Sequence, residues 1–408
     1  MTVPVRSVPG TADAAIAKLV ACQPAGHSLS QSFYVSEVAF QVDIDRVFMR
    51  HWLLVGHASS APKPGDYFLC EIAEESVIIA RGKDDLLRAF LNICRHRGSR
   101  ICTKSEGHAE AFVCPYHAWA YNLDGTLRGA RYMPADFDKS LHGLKAIHIE
   151  VIEGLVFISF ADKPLGLETV RSAVRSAHGP YGWAAARVAH RETYPIESNW
   201  KLAVENYLEC YHCAPAHPEY SKLHALEQPL HRIEALNVTM EVRTCALGVN
   251  IPHTDRWVNS GVGEEAIFSF RYSLYEDVKT GSRNGQPVAP LMGDFRAYDG
   301  GVTSTHLGPA SFFIAYPDHG VLYRFVPKTV STCEIEVVWL VRGDAREGVD
   351  YALEELTWLW QVTAAADKRI IQNNQKGVNS RFYQSGPYAP MEHTLMRYVA
   401  WYLNEISS

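Results

Sequence analysis

The chain has 408 residues, 47% of them hydrophobic and 21% charged, so two or three domains with sizeable cores are expected and disorder is not. A net charge of −6 gives no basic footprint for nucleic acid or for an anionic membrane. Nine thinly spread cysteines, an odd number, argue against a disulfide framework and point to a reducing cytoplasm.

Met1 to Gly26 lacks the basic and apolar blocks of a signal peptide, and no apolar run is long enough to span a bilayer. Ala14–Cys22 predicts a short helix, and Phe33–His57 a packing helix that leads into a strand. From Pro64 the period changes. Tyr67–Ile72, Ser76–Arg81 and Leu86–Ile93 are short apolar runs separated by turn residues such as Gly82-Lys83-Asp84-Asp85, the pattern of antiparallel strands. Phe112-Val113 and a hairpin over Tyr121–Leu127 with an Asp124-Gly125 turn come next. Ile147–Ile152 and Leu155–Phe160 close the unit. These runs predict an all-β domain over 45–162. The N-terminal segment, 1–44, is expected to pack on the second domain, 163–408.

Two ligand pairs sit on loops at one end of the β domain. Cys94-Arg95-His96 and Cys114-Pro115-Tyr116-His117 each offer one thiolate and one imidazole. A Rieske-type [2Fe–2S] cluster needs that set, with two Cys on one iron and two His on the other. Neutral imidazoles leave such a cluster less negative than an all-Cys one, which raises its potential. A Cys2His2 zinc site is the competing reading, but zinc fingers usually pair Cys with Cys and His with His. Cys102 reads as a buried thiol, since both pairs are complete without it.

Lys163–Arg191 reads as a partly helical connector. The first part of the stretch from Asn199 to Pro218 is helical in pattern, which puts Glu205, Glu209 and His212 on one face. Pro215 and Pro218 end it, with His217 on the turn between them. A lone buried His is more often a hydrogen-bonded core residue, but two His after a helical carboxylate point to a metal. Cys210 and Cys213 flank His212 and read as packing residues. Leu236–Arg243, Ile267–Tyr275, Ser311–Tyr316, Val321–Pro327 and Thr332–Val341 predict a second sheet, and Asp277–Gly308 a loop region over the site. Asp350 is expected to cap a helix through Gln372 with the apolar stripe Leu353, Leu356, Trp360, Ala364 and Ile371. Asp367 falls on that stripe. A buried carboxylate needs a partner, either an Arg or a metal. With His212 and His217 it completes a 2-His-1-carboxylate triad for non-haem Fe(II), which leaves positions open for O2.

Together these motifs resemble the catalytic α subunit of Rieske non-haem iron oxygenases over nearly the whole chain. Ser99 stands where respiratory Rieske proteins carry a disulfide cysteine, and Pro115-Tyr116-His117-Ala118-Trp119 fits the oxygenase branch. The resemblance implies an α+β fold: an all-β Rieske [2Fe–2S] domain plus a helix-grip catalytic domain with a curved antiparallel sheet and flanking helices. It implies Cys94, His96, Cys114 and His117 as cluster ligands, and His212, His217 and Asp367 as ligands of the mononuclear iron. Gln375-Lys376-Gly377 stands where the family's Gln-x-Gly follows its Asp. Glu209 matches the acidic residue that relays electrons between the two metal sites across the interfaces of a homotrimer.

Naphthalene-type dioxygenases commonly carry Asp there, with one more residue before it. Glu209-Cys210-Tyr211-His212-Cys213, the tail Asn374–Ser380 and Gly386-Pro387-Tyr388 look like the betaine-oxidising subgroup, the glycine betaine monooxygenases and proline betaine (stachydrine) demethylases. That likeness implies a monooxygenase that hydroxylates an N-methyl group of a quaternary ammonium compound, using O2 and releasing formaldehyde. Electrons would come from NAD(P)H through a separate flavin/iron–sulfur reductase, since the chain has no Gly-x-Gly-x-x-Gly motif. Aromatic faces are the usual way to hold a quaternary ammonium, and aromatics are plentiful from Trp257 to Phe325. Two alternatives stand beside this reading: an aromatic-ring-hydroxylating dioxygenase α subunit, and a Rieske electron carrier without oxygenase activity.

Overall fold

The structure, a computed structural model, describes residues 10–226, 230–255 and 263–407. The chain opens with helices α1 (Gly10–Ala21), α2 (Gln31–Val35) and α3 (Glu37–Asp43), the last running into a π-turn over Ile44–Phe48. The first sheet then begins with β1 (Leu53–His57), β2 (Asp66–Ile72), β3 (Glu75–Arg81), β4 (Leu87–Leu91) and β5 (Glu106–His108). β6 (Phe112–Val113), β7 (Ala120–Tyr121) and β8 (Leu127–Gly129) form a small sheet of their own. β9 (Ala146–Ile152) and β10 (Leu155–Ser159) return to complete seven antiparallel strands in the order β1-β10-β9-β4-β3-β2-β5. The tight return between β9 and β10 needs two residues at positive φ. Glu153 (49°) and Gly154 (78°) supply them, the primed turn that matches strand twist. A Cβ on Gly154 would lie 2.2 Å from His57 Nε2, so only glycine fits there.

The second half starts with α4 (Glu168–His178), β11 (Ala186–Ile196), α5 (Trp200–Tyr207), α6 (Cys213–Ala216), α7 (Pro218–Ser221) and α8 (Leu230–Ala246). β12 (Thr254–Asp255), β13 (Ile267–Ser273), β14 (Gly301–Leu307), β15 (Ser311–Ala315), β16 (Gly320–Thr329) and β17 (Thr332–Arg342) follow, and α9 (Leu353–Val378) and α10 (His393–Ser407) finish the chain. Seven antiparallel strands lie in the order β11-β17-β16-β15-β14-β13-β12. Along β17, Ile335, Val337 and Trp339 enter one core while Val338 and Leu340 enter another. Both faces are therefore buried. α5 and α9 cover one of them, and α4 packs against β13 and β14. The result is the expected α+β architecture of a curved antiparallel sheet gripped by helices.

The N-terminal helices are tied to α5 and α10 by buried polar contacts. Tyr34 donates to Glu205 at 2.9 Å, and Asp43 meets Lys201, Trp200 Nε1 and the Tyr402 hydroxyl. Among the described residues no helix is long and apolar enough to cross a membrane.

Three local expectations are corrected. Leu236–Arg243 is part of helix α8, not a strand. Its Val and Thr residues mimic strand chemistry, but Val238 and Val242 are exposed while Met240 and Thr244, four apart, are buried. That is helical spacing. Asp277–Gly308 is irregular as far as Gly300, as expected, but that part does not lie over the site. Gly301–Leu307 is strand β14, and Met292 and Phe295 anchor the preceding stretch in a core with Tyr181, on α4's side of the sheet. Asp350 does not cap α9, whose N-cap is Ala352, and the helix runs on to Val378. The Asp350 carboxylate instead accepts from Arg346 N at 2.8 Å, closing the turn before the helix.

Candidate active site: two ligand clusters and an aromatic cavity

The first cluster lies on the loops after β4 and β6. Cys94 N donates to Ser99 O at 2.8 Å and Cys114 N to Trp119 O at 2.8 Å, so both loops curl around their cysteine in the same way. Gly98, at φ 78°, allows the first of these turns. Cys94 and Cys114 are buried together in the domain's aromatic core. Burial pushes the Cys94 thiol up. The two imidazoles face outward, and the His96 and His117 rings stand 4.6 Å apart at 78°. Two neighbouring features were not anticipated. Trp119 stacks on His96 at 4.9 Å, and the Tyr121 hydroxyl lies 3.3 Å from Cys94 Sγ while accepting from Arg95 N at 2.9 Å. Cys102 is buried with a free thiol.

The second cluster begins where α5 stops. Asn199 caps the helix by accepting from Lys201 N at 3.1 Å, and Leu208 closes it. Glu209 is therefore past the helix, not on the face of Glu205 as its spacing suggested. Glu205 points away, to Tyr34, and burial pushes its carboxyl up to about 8. Glu209 folds back over the turn. Its carboxylate accepts from the backbone N–H of Tyr211 and His212 and from His212 Nδ1, the last at 2.6 Å. That contact fixes the tautomer and leaves His212 Nε2 free to bind a metal. His217 follows α6, and Pro218 starts the next helix with no donor to lose.

Asp367 approaches from α9. Its Oδ1 is 3.4 Å from His212 Nε2 and 3.6 Å from His217 Nδ1, and the two rings are 5.0 Å apart at 90°. Among the described residues no Arg or Lys pairs with Asp367, which sets aside the ion-pair alternative. His217 Nδ1 and Asp367 Oδ1 are buried without a hydrogen-bond partner. Buried polar atoms left so are costly unless something absent from the chain joins them. Burial lowers His212's pKa, but Asp367 and Glu209 outweigh it and hold the ring up at about 9. These groups thus cradle one positive charge, and two imidazoles with a carboxylate fit a mononuclear iron. Asn206, which sequence reasoning missed, places Nδ2 3.3 Å from His212 Nε2.

Cys210 and Cys213 are not simple packing residues. Their sulfurs are joined in a disulfide that brackets His212, at a Cα separation of 4.9 Å. Three residues apart at a helix entrance, they fall within bridging range. Ligand atoms of His212, Cys213 and His217 lie within 4.8 Å of one another, but the bond to Cys210 leaves Cys213 no thiolate to offer.

His212, His217 and Asp367 open onto a cavity of about 1180 Å³. A belt of rings circles it: Tyr220, Trp360, Tyr323, Tyr207, His306, Phe270 and Tyr272. Successive ring centroids are 5.1–6.2 Å apart, and the Tyr272 and Tyr220 hydroxyls close the circle at 3.2 Å. The sequence offered two signals for this belt: Trp360, two helical turns before Asp367 on the same stripe, and the aromatic-rich stretch from Trp257 to Phe325, which contains Phe270, Tyr272 and Tyr323. Tyr207 and Tyr220 come from α5 and α7, Phe270 and Tyr272 from β13, His306 from β14 and Tyr323 from β16. Trp257, where the aromatic-rich stretch begins, lies outside the described residues.

A family model described as the ring hydroxylating alpha subunit (catalytic domain) matches residues 183–408, and one for the Rieske [2Fe-2S] domain matches residues 51–148. The chain belongs to the Rieske oxygenase α-subunit family, whose members carry a [2Fe–2S] cluster and a mononuclear iron. Within it the chain is similar to the glycine betaine monooxygenase oxygenase subunit of Chromohalobacter salexigens, at 33% identity over 94% of this chain and 86% of that one. The carnitine monooxygenase oxygenase subunit of Escherichia coli (strain K12) is 28% identical over 86% of this chain and 84% of its own. Among solved structures, the quaternary ammonium Rieske monooxygenase CntA in complex with L-carnitine has the same fold, with a TM-score of 0.69 at 21% identity, covering 94% of this chain and 97% of that one. Naphthalene 1,2-dioxygenase bound to phenanthrene shares it too, at 0.67 and 19% identity over 94% and 93%.

Proposed function

We propose that the protein hydroxylates an N-methyl group of a quaternary ammonium compound, and that Cys94, His96, Cys114 and His117 hold its cluster while His212, His217 and Asp367 hold its iron. The observation that carries this reading is the convergence of the two orphaned ligand atoms of His217 and Asp367 on the wall of an aromatic cavity. When bound, the mononuclear iron supplies open positions at which O2 is reduced. The chain's own residues do the rest. Glu209 keeps the proton of His212 at Nδ1. Tyr207, Tyr323 and Trp360 line the cavity, where a ring face over a cation would be worth about 0.5–2 kcal/mol per contact. One oxygen atom enters a C–H bond of the N-methyl group, and the other leaves as water with two electrons and two protons. The N-hydroxymethyl product then loses its N–C bond, giving formaldehyde, a proton and the demethylated amine.

The oxygenase-subunit names of the relatives support a separate partner subunit as electron source, and we read it as an NAD(P)H-dependent flavin/iron–sulfur reductase. We read the assembly as a homotrimer in which Glu209 lies between its own iron and a neighbour's cluster. The outward-facing His96 and His117 and the exposed Tyr211 beside Glu209 are consistent with that contact. The division into 1–44, 45–162 and 163–408 belongs to the same proposal. The test is O2 uptake with a surrogate reductase, screening ammonium compounds against arenes while assaying formaldehyde. Formaldehyde in proportion to O2 consumed is expected; a cis-diol from an arene, with no formaldehyde, would replace this reading with a dioxygenase.

A further inference from the structure

We infer that Cys210 and Cys213 are a reversible thiol–disulfide couple that decides which metal the second ligand cluster takes. Joined, they leave His212, His217 and Asp367 to an iron. Reduced, they let Cys213 add a thiolate that turns the same place into a zinc site. The inference rests on the assignment of His212 and His217 as metal ligands made above and goes beyond it.

Position comes first. Of the nine cysteines, these two are joined and the other seven are free. They stand on either side of His212 in the chain, and both line the cavity together with His217 and Asp367. Ligand atoms of His212, Cys213 and His217 lie within 4.8 Å of one another. A tetrahedral zinc holds nitrogen and sulfur donors about 3.5 Å apart. A Cys213 sulfur released from Cys210 is free to turn about its Cα–Cβ bond and close that difference.

Donor chemistry is the second observation. A thiolate is a softer donor than imidazole or carboxylate, and closed tetrahedral sites of Cys and His are characteristic of zinc. A nitrogen–oxygen site already binds Zn2+ more tightly than Fe2+. A thiolate widens that gap, and it fills a position that an oxygenase iron must keep open for O2. Bound to Cys210, the Cys213 sulfur carries no charge, so the site keeps its two imidazoles and one carboxylate.

The third observation is that the bridge can be opened without undoing the turn. It closes a loop of four residues, 210–213, which removes less chain entropy than a long-loop bridge does. Other ties hold the same turn: His212 N donates to the Glu209 carboxylate at 3.2 Å, and Cys213 N to Cys210 O at 3.2 Å. Cys213 is buried and Cys210 only partly so, which directs an incoming thiolate to Cys210. Its sulfur bonds to Cys210 Sγ, the S–S bond breaks, and the electron pair leaves on Cys213 Sγ, beside the histidines. A second thiol then frees Cys210, so two small thiols become one small disulfide and the protein gains two thiols. A small disulfide reverses the exchange. When zinc binds, the proton of the Cys213 thiol goes to solvent.

The experiment uses the full-length protein with its cluster in place and the mononuclear site emptied by a chelator. One sample is kept oxidised, and the other is reduced with a phosphine and desalted without oxygen. Alkylation and peptide mapping should find the bridge in the first and two further thiols in the second. The reduced sample should bind Zn2+ about tenfold or more tighter than the oxidised one. With Co2+ in place of zinc, a thiolate-to-cobalt charge-transfer band should appear only after reduction. Cys210→Ser leaves Cys213 free and should bind Zn2+ like the reduced protein under either treatment. Cys213→Ser should bind it like the oxidised protein. If the bridge merely staples the turn, the two variants will behave alike, and that would overturn the inference. Equal zinc affinity and no cobalt band in reduced wild type would overturn it without any variant, as would a peptide map of the oxidised sample without the bridge. Failure of Fe2+, Co2+ and Zn2+ to bind in either state would bring down the metal-site assignment as well.

Discussion

At the scale of single residues, the side chains beside the metal ligands make the sharpest claims. Tyr121 is placed to donate to Cys94 Sγ, and a hydrogen bond to a ligand sulfur stabilises the reduced, more negative cluster. Tyr121→Phe should lower the midpoint potential by about 20–60 mV, from a hydrogen bond worth ~0.5–1.5 kcal/mol and 59 mV per tenfold at one electron. A spectroscopic redox titration checks it, with an unchanged cluster spectrum as control. Asp367→Ala should lose the mononuclear iron and oxygenase activity while the cluster absorption stays intact, as iron analysis on purified protein would show. Glu209 separates two roles. Glu209→Ala removes the acceptor on His212 Nδ1 and should weaken iron binding about 10–100-fold. Glu209→Gln keeps an acceptor and the iron, but the reduced cluster should be reoxidised very slowly when O2 and substrate are added. Stopped-flow recovery at the wild-type rate in an iron-loaded Gln variant would remove Glu209 from the electron path.

At the scale of elements, a buried histidine joins three of them. His51, just before β1, puts Nδ1 2.9 Å from Glu265, just before β13, and Nε2 3.3 Å from Glu405 on α10. Burial disfavours the imidazolium, but the two carboxylates outweigh it and raise the pKa to about 9. The folded value lies above the ordinary 6.5, so the latch contributes fully below about pH 6.5 and is lost as pH rises through about 9. His51→Gln removes one partner of a buried ionic set and should cost about 3–5 kcal/mol at pH 6, and less at pH 10. Thermal melts of both proteins between those pH values test it. A pH-independent difference would mean that His51 acts by packing alone.

At the scale of the whole molecule, the Cys94/His96/Cys114/His117 loops belong to the first half of the chain and His212, His217 and Asp367 to the helical elements of the second, and the trimer proposed above would bring a neighbour's cluster to each iron site. Sedimentation should give a mass three times that of the 45.6 kDa chain. Cys114→Ala subunits, without a cluster, and Asp367→Ala subunits, without iron, should each be inactive. Refolded or co-expressed one to one, they should regain about a quarter of wild-type activity, the share of head-to-tail contacts that pair a working cluster with a working iron. No recovery in confirmed mixed trimers would place electron transfer within one chain.

The local chemistry was legible from the sequence alone. The proposed cluster pairs, Cys94 with His96 and Cys114 with His117, could be read from their short spacings, because side chains two or three residues apart on one loop stay close together. His212 and His217 were readable from their close spacing, but the expected helix end at Pro215 and Pro218 was not correct: α5 already stops at Tyr207, Pro215 lies within α6 and Pro218 opens α7. Asp367 was legible as a carboxylate on an apolar stripe, but its partners were not, since α9 meets the His212 turn only when the second sheet is folded. Tertiary structure decided the rest. The turn after Tyr207 moved Glu209 off the face of Glu205 and onto His212. The placement of α8 overrode the strand-like chemistry of Leu236–Arg243. The aromatic belt draws on α5, α7, β13, β14, β16 and α9, so no window of sequence contains it. Ligand spacing is set by bonds along the chain, whereas a cavity is set by which distant surfaces exclude water together.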